Sequence, residues 1–373
     1  MHVVYNFGQG GLENGIVNLI NHLPQSEFRH VIVSLKDNND FGARIKKEVK
    51  IIGLNKTDGN DLSVFVKVFK LYRELKPDVV HSRNLAAFEM QVPALLARIP
   101  YRIHGEHGRD VSDLDGRNVK YKILKKILMM FVHRVVAVSS ELENYLLEEI
   151  NVSKRKLVKI ENGVNIELFS PMNENNSLIR GSVINDCDRF VIGTVGRLEV
   201  VKSQETLILG LKCLLNNRPD LKDKIKVVIV GDGSMKNHLT DLVHKNGLEN
   251  NVSMPGSSDE IHVVMNSFDV FALTSKAEGM SNTILEAMSC GCPVIATNVG
   301  SNGELISHGE DGYIIDVGDS NALAKYIEHY YENKKSLEKH SVMARNKIID
   351  KYSIEIMVAN YQQLYKRAIN YSG

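Results

Sequence analysis

The chain has 373 residues, with 46 Lys and Arg against 45 Asp and Glu and a net charge of +1. That balance excludes the basic footprint of a general nucleic-acid binder. Four cysteines exclude a disulfide framework and fit a reducing compartment. A hydrophobic content of 43% fills a core in each of the two domains this length suggests.

The chain opens as a strand rather than as a charged-then-apolar signal peptide. No apolar run approaches the roughly 20 residues of a spanning helix. A soluble or peripheral, cytoplasmic protein is expected. In the first half, short β-branched strands are expected at 3–5, 31–35, 51–54, 79–81, 102–104 and 135–138. Helical patterns lie between them, as at 13–23, 62–75 and 140–149. The polar stretch 170–188, with Pro171, Asn173, Asn175 and Asn176, has the composition of a linker. In the second half, strands are expected at 191–195, 227–230, 252–254, 270–273, 294–296 and 313–315. A long helix, 354–371, follows.

Near-continuous apolar strands alternating with helices mean buried parallel sheets. The fold class is therefore α/β, with two doubly wound Rossmann-like domains, 1–169 and 189–352, joined by the linker 170–188. Residues 353–373 form a C-terminal helix. Such sheets bind ligands at the carboxyl ends of their strands, so two domains facing across a cleft would bring their strand-to-helix loops together.

Four loops are candidates. Phe7-Gly-Gln-Gly-Gly-Leu-Glu13 follows the first strand. Glycine there lets backbone approach a ligand, and the next helix N-terminus offers amides to an anion. A dinucleotide fingerprint needs glycine where Glu13 stands, so a nicotinamide reading fails on position; a plain tight turn is the alternative. Gly193-Thr-Val-Gly-Arg-Leu-Glu-Val-Val-Lys202 places Arg197 and Lys202 after a buried strand, a pair suited to a diphosphate if they are not merely solvated cations. Gly231-Asp-Gly233 is a ligand loop or a plain turn. The fourth loop is Glu278-Gly-Met-Ser-Asn-Thr-Ile-Leu-Glu286. Ser281 caps a helix 282–289, which Gly291 ends. The amides of Ser281, Asn282 and Thr283 make an anion site between two carboxylates. One ligand would satisfy all of it, a sugar on Glu278, phosphates on the amides and a ribose on Glu286; a loop acid followed by an ordinary surface helix residue is the alternative. Cys290-Gly-Cys292 lacks a second Cys/His pair at metal-finger spacing.

Glu278-Gly-x-x-Asn-x-x-x-Glu286-Ala-Met resembles the signature of retaining GT-B glycosyltransferases of family 4. The resemblance spans nearly the whole chain: Gly10-Gly11-Leu-Glu13, Asn162-Gly-Val-Asn165 with Phe169, Gly196-Arg197 with Lys202, Gly231-Asp-Gly233, and 278–288, in the family's order. His81-Ser-Arg-Asn84, Gly105-Glu-His-Gly-Arg-Asp110 and Asp113-Leu-Asp-Gly116 further resemble a bacterial subgroup associated with exopolysaccharide systems. The chain departs from the pattern in Ser281 for proline, Asn165 for aspartate and Ser203 for glycine.

The resemblance implies a nucleotide-sugar donor, a UDP-sugar by the family's habit, and no cofactor or metal. Glu278, His107, Arg197 and Lys202 would be the catalytic set. Arg197 and Lys202 would stabilise the departing nucleoside diphosphate, Glu278 would hold donor-sugar hydroxyls, and Glu286 the ribose. Gly10, Gly11, Gly231, Gly279, Met280, Ser281, Asn282 and Thr283 would complete the donor site. Glu13, His107 and Arg109 would meet the acceptor, a growing or polyprenyl-linked glycan of a bacterial surface polysaccharide. A structural loop histidine is the alternative for His107; His81 and His104 are weaker candidates, read first as satisfied core or loop histidines.

Asp113-Leu-Asp115 and Asp186-Cys-Asp188 imitate the metal motif of another transferase fold. Residues 117–131 mix five cations with a dense apolar set, and Lys122, Lys125 and Lys126 would face anionic headgroups of the inner membrane surface if this is not an ordinary packed helix. Rival readings are an epimerase or phosphorylase on the same fold, and a catalytically silent sugar-nucleotide-binding subunit.

Overall fold

The computed structural model describes residues 1–8, 10–37, 40–57, 59, 61–108, 113, 116–172 and 188–369. The chain forms two compact units: Met1–Gly163 with Ile354–Gly373, and Val164–Ser353.

The first unit is built on seven parallel strands in the order β3-β2-β1-β4-β5-β6-β7. They are β1 His2–Val4, β2 Val31–Ser34, β3 Lys50–Gly53, β4 Val79–Arg83, β5 Tyr101–Glu106, β6 Arg134–Ala137 and β7 Leu157–Lys159. Its helices include α1 Gly11–His22, α2 Ser63–Leu75, α3 Leu85–Phe88, α4 Gln91–Leu96, α5 Val119–Met129 and α6 Ser140–Asn144. Both faces of the sheet are covered, so the strands are apolar throughout. On one face, Val64, Val68 and Tyr72 of α2 pack on Val3, Val33 and Val80. On the other, α1 lays Ile16, Val17 and Ile20 on Val4 and Ile32.

The second unit is built on six parallel strands in the order β10-β9-β8-β11-β12-β13. They are β8 Phe190–Val195, β9 Ile225–Val230, β10 Val252–Gly256, β11 Val270–Leu273, β12 Val294–Thr297 and β13 Gly312–Ile315. The helices are α7 Gln204–Asn217, α8 Lys236–Asn246, α9 Ile261–Asn266, α10 Asn282–Ser289, α11 Asn302–Leu305, α12 Ser320–Glu332 and α13 Lys334–Lys351. Leu207 and Leu211 of α7 and Leu323 and Ile327 of α12 are all fully buried over Ile192 and Ile229. Burying each such side chain contributes about 1.5–3 kcal/mol.

After the second unit the chain enters α14, Ile354–Ile369, which belongs to the first. Ile354, Met357, Tyr361 and Leu364 pack on Leu19, Leu23, Tyr101 and Ile103.

Three sequence expectations shift. The units divide at Gly163/Val164 rather than after residue 169. Val164 N–H bonds the Tyr352 carbonyl at 2.9 Å. The Phe169 carbonyl accepts from Ser289 Oγ at 2.6 Å and Arg345 Nη1 at 2.8 Å, which ties 164–169 to the second unit. Most of the expected linker, 173–187, lies outside the described residues, including Asp186 of the second metal-like motif. The helix expected over 140–149 is α-helical only to Asn144 and widens to a π turn over Tyr145–Glu149. Strand β7 gave no sequence signal, because three residues ending in an exposed lysine carry too little pattern.

Candidate active site

Three of the four expected loops lie in the second unit, at the carboxyl ends of β8, β9 and β11, which are consecutive neighbours in the sheet. The strand order reverses between β8 and β11, the switch point where open parallel sheets bind ligands.

The loop after β8 and the loop after β9 are locked together. Gly196 N–H bonds the Val230 carbonyl at 3.0 Å, and Leu198 N–H the Asp232 carbonyl at 2.9 Å. Gly231 has φ +145°, and a side chain there would collide with the Gly196 carbonyl. The contact thus admits only glycine. Arg197 leaves this junction exposed and makes no ion pair among the described residues. Gln204 Nε2 holds its carbonyl at 3.0 Å.

Lys202 and Glu278, which lie 76 residues apart in the chain, meet at 2.6 Å, Nζ to Oε1. Their side chains are 23% and 10% exposed, so the pair is shielded but reachable. Ser275 Oγ donates to the same Oε1 at 2.5 Å. Both donors fall on one oxygen of the carboxylate, Oε1. Ser203, where the family has glycine, takes the left-handed conformation that the position demands (φ +47°), and its hydroxyl lies 3.1 Å from Thr206 Oγ1.

Ser281 is the N-cap of α10, its Oγ accepting from Ile284 N–H at 3.4 Å. The amides of Asn282 and Thr283 therefore stand in the first turn, where the helix dipole favours an anion. Glu286 lies further along the same helix and is half-buried. Gly279 and Met280 are held from behind: Ser301 N–H bonds the Gly279 carbonyl at 3.0 Å. Gly300 (φ +55°) packs so closely behind this loop that an added Cβ would meet the Glu278 carbonyl, and neither it nor Ser275 was singled out in the sequence. Gly300 was open to notice as a glycine after a buried strand, while the serine carried no signal. Cys290 and Cys292 are buried core residues, and burial pushes the Cys290 thiol up to about 12.

In the first unit, a pocket of about 230 Å³ opens at the carboxyl ends of β1 and β4. It is lined by Asn6, Glu13, Arg83, Asn84 and Gly108, among others. This is again where the strand order reverses. Gly10 caps α1, and the Glu13 carboxylate turns back over Gly10 rather than out along the helix. Gly11 opens the helix itself. His107 is half-buried, and its N–H is held by Asn84 Oδ1 at 2.9 Å. Burial, then the Arg83 charge, lowers its pKa to about 3. It is a neutral imidazole, suited to hydrogen bonding rather than to carrying charge. Arg109, with Asp110 and Asp115, lies outside the described residues.

His81 and His104 are fully buried. His81 Nδ1 meets Tyr365 OH at 2.9 Å, and His104 stacks on Phe88 at 3.5 Å. Lys125, expected on an exposed basic face, is instead buried against Glu106 at 2.6 Å. Its helix position faces the core, where burial raises the carboxyl's pKa; Lys125 and His104 outweigh burial and hold Glu106 down near 2.

Two Rossmann-like units with cations, carboxylates and helix amides at their strand ends define a GT-B glycosyltransferase. The glycosyltransferase family 4 model matches residues 9–168, and the glycosyl transferases group 1 model matches residues 176–347. The chain belongs to this family. It is 28% identical to a UDP-Gal:α-D-GlcNAc-diphosphoundecaprenol α-1,3-galactosyltransferase of Escherichia coli, over 82% of this chain and 79% of that one. It is 26% identical to the capsular polysaccharide biosynthesis glycosyltransferase CapM of Staphylococcus aureus, over 82% and 81%. Anabaena HepE, solved in complex with UDP, shares the fold with a TM-score of 0.83 at 22% identity, over 98% and 99%.

Proposed function

We propose that the protein transfers a hexose-type sugar, with retention and without a metal, from a UDP-sugar to a polyprenyl-diphosphate-linked or growing glycan of a bacterial surface polysaccharide. The observation that carries this is the shielded Lys202–Glu278 pair beside the first turn of α10. In this reading Arg197, Lys202 and the amides of Asn282 and Thr283 face the diphosphate. They stabilise the charge that grows as it leaves. Glu278, its Oε1 held by Lys202 and Ser275, accepts from sugar hydroxyls. Glu286 accepts from the ribose. Gly10 and Gly11 let a phosphate come close to the backbone at the start of α1, and Glu13, His107 and Arg109 meet the acceptor.

Retention proceeds by departure and attack on one face, with a donor phosphate oxygen taking the acceptor proton. A carboxylate already bonded by Lys202 and Ser275 is a poor covalent nucleophile, which favours that route over a double displacement. The cations Arg197 and Lys202 supply charge that a metal supplies in other transferases. The galactosyltransferase relative's name supports both a UDP-sugar donor and a diphosphoundecaprenol-linked acceptor.

Helix α5 supports docking at an anionic membrane surface on the cytoplasmic side. Val119, Ile123, Ile127 and Met130 are all exposed. At 3.6 residues per turn they share one face, with Lys126 to one side and Lys120 to the other. Apolar side chains between cations suit the headgroup boundary. Among the described residues no helix is long and apolar enough to cross a membrane.

The test is product stereochemistry. The protein is incubated with UDP-sugars and a short-chain polyprenyl-diphosphate sugar, with and without EDTA, and the new linkage is read by NMR. An α-linkage from an α-donor, unchanged by EDTA, is expected. A β-linkage contradicts retention, and loss with EDTA contradicts metal independence.

A further inference from the structure

We infer that Glu278 discriminates between the sugar-bearing donor and the bare nucleoside diphosphate, a role that rests on the glycosyltransferase reading of the same site. It favours the first and opposes the second, so the spent nucleotide leaves more readily.

The Lys202 ammonium is already matched by a charge. Its Nζ lies 2.6 Å from Glu278 Oε1, in a pair whose side chains are only 23% and 10% exposed. The carboxylate is fixed from the strand ends behind it. Ser275, fully buried just past β11, donates to the same Oε1 at 2.5 Å. The Ser275 carbonyl in turn accepts from Thr297 Oγ1, at the end of β12, at 2.6 Å. Thr274 Oγ1 donates to the Ser203 carbonyl at 2.9 Å, beside Lys202. Other acids near these strand ends are engaged elsewhere. Glu199 accepts from Ser234 Oγ at 2.8 Å, Glu205 meets Lys276 at 3.4 Å, and Asp232 meets Lys236 at 2.9 Å. Glu278 is the acid that offsets Lys202.

A diphosphate that comes to Lys202 therefore meets a carboxylate as well as an ammonium. In a shielded site those like charges repel more strongly than in bulk water. The outcome depends on the far end of the ligand. In a UDP-sugar the second phosphate is esterified and carries one charge. The sugar beyond it brings hydroxyls that donate to a carboxylate. In UDP the second phosphate is terminal. With a second pKa of about 6 it carries nearly two charges at neutral pH, and no sugar hydroxyl stands between it and Glu278. The same carboxylate gains hydrogen bonds from one ligand and repulsion from the other. A charge left unsatisfied by the wrong ligand is a direct source of specificity.

The experiment measures by calorimetry the affinity of the full chain for UDP, UDP-glucose and UDP-galactose at neutral pH. Glu278→Gln is expected to bind UDP at least fivefold more tightly than wild type, and the preferred UDP-hexose at least fivefold more weakly. Glu278→Ala is expected to repeat the UDP result, and it decides the matter if the glutamine variant does not fold. Lys202→Met is expected to weaken UDP binding at least tenfold. Adding Glu278→Gln to Lys202→Met is expected to recover at least fivefold of that loss. A pair that only braces the loop predicts the opposite: UDP affinity falls in every variant, and the double variant is no better than Lys202→Met. That result, or an unchanged UDP affinity in Glu278→Gln, overturns the opposing role of Glu278. A UDP-hexose affinity that rises as much as that for UDP overturns the discrimination. In either case the glycosyltransferase reading stands as long as wild type binds UDP through Lys202. Failure of wild type to bind UDP counts against that reading itself and takes the discrimination with it.

Discussion

Gly300 has φ +55°, and a Cβ there would strike the Glu278 carbonyl. Gly300→Ala therefore carries about 1–2 kcal/mol of left-handed strain and also displaces the loop that bears Glu278 and Met280. We expect UDP affinity to fall at least tenfold by calorimetry, while circular dichroism still shows a cooperative melt. Unchanged UDP affinity would mean that the 278–280 loop does not shape the donor site. Lys202 and Glu278 were both legible in the sequence as chemistry-bearing residues after buried strands. Their 2.6 Å pairing was not, because only the fold brings positions 202 and 278 together. Arg83 and Asn84 were quoted only as part of a resemblance. The burial of Arg83 against His2 and Tyr365 and the positive φ of Asn84 leave no trace in composition or periodicity.

Strands β1 and β4, the residue before β2 and the residues just past β5 place His2, His30, His81 and His107 around Arg83. Burial comes first among the causes that lower their pKa values, to about 4 for His30 and about 3 for His107. In the unfolded chain these imidazoles titrate near 6.5. Below that pH the unfolded state binds protons that the folded state refuses, so stability falls with pH. The loss runs from about 6.5 down to the folded values, and each group adds up to about 1.4 kcal/mol per pH unit within its window. Glu106, held near 2, adds to the loss below its ordinary 4.5. Urea unfolding from pH 7.5 to 4.5 should show a steep decline, made shallower by about one proton in His30→Gln. A flat profile would contradict the neutral-imidazole assignment. Helix α5 gives a second test at this scale. Ile123→Glu with Ile127→Glu should reduce sedimentation with anionic vesicles at least tenfold and leave the melting temperature within about 2 °C. The amphipathic character of α5 was legible in the sequence; that Lys125 faces inward to Glu106 was not, since both faces of the helix carry lysine.

At the scale of the whole chain, the two doubly wound units were readable because both faces of each sheet are covered. That burial makes β8, β9, β11 and β12 nearly continuous apolar runs, which only a buried strand requires. The division at Gly163/Val164 was hidden, because Val164–Phe169 is tied to the second unit by backbone bonds and by Arg345 rather than by any change in composition. The central claim is that one unit's loops grip a sugar nucleotide and let its diphosphate leave without a metal. The most direct measurement is slow donor hydrolysis over a panel of UDP- and GDP-sugars, with and without EDTA, comparing wild type with Glu278→Gln and Lys202→Ala. The expected result is turnover of one UDP-sugar, indifferent to EDTA and reduced about 10²–10³-fold in each variant, the scale of losing one preorganised stabilising group. Turnover that needs added metal, or that survives both substitutions, would contradict it.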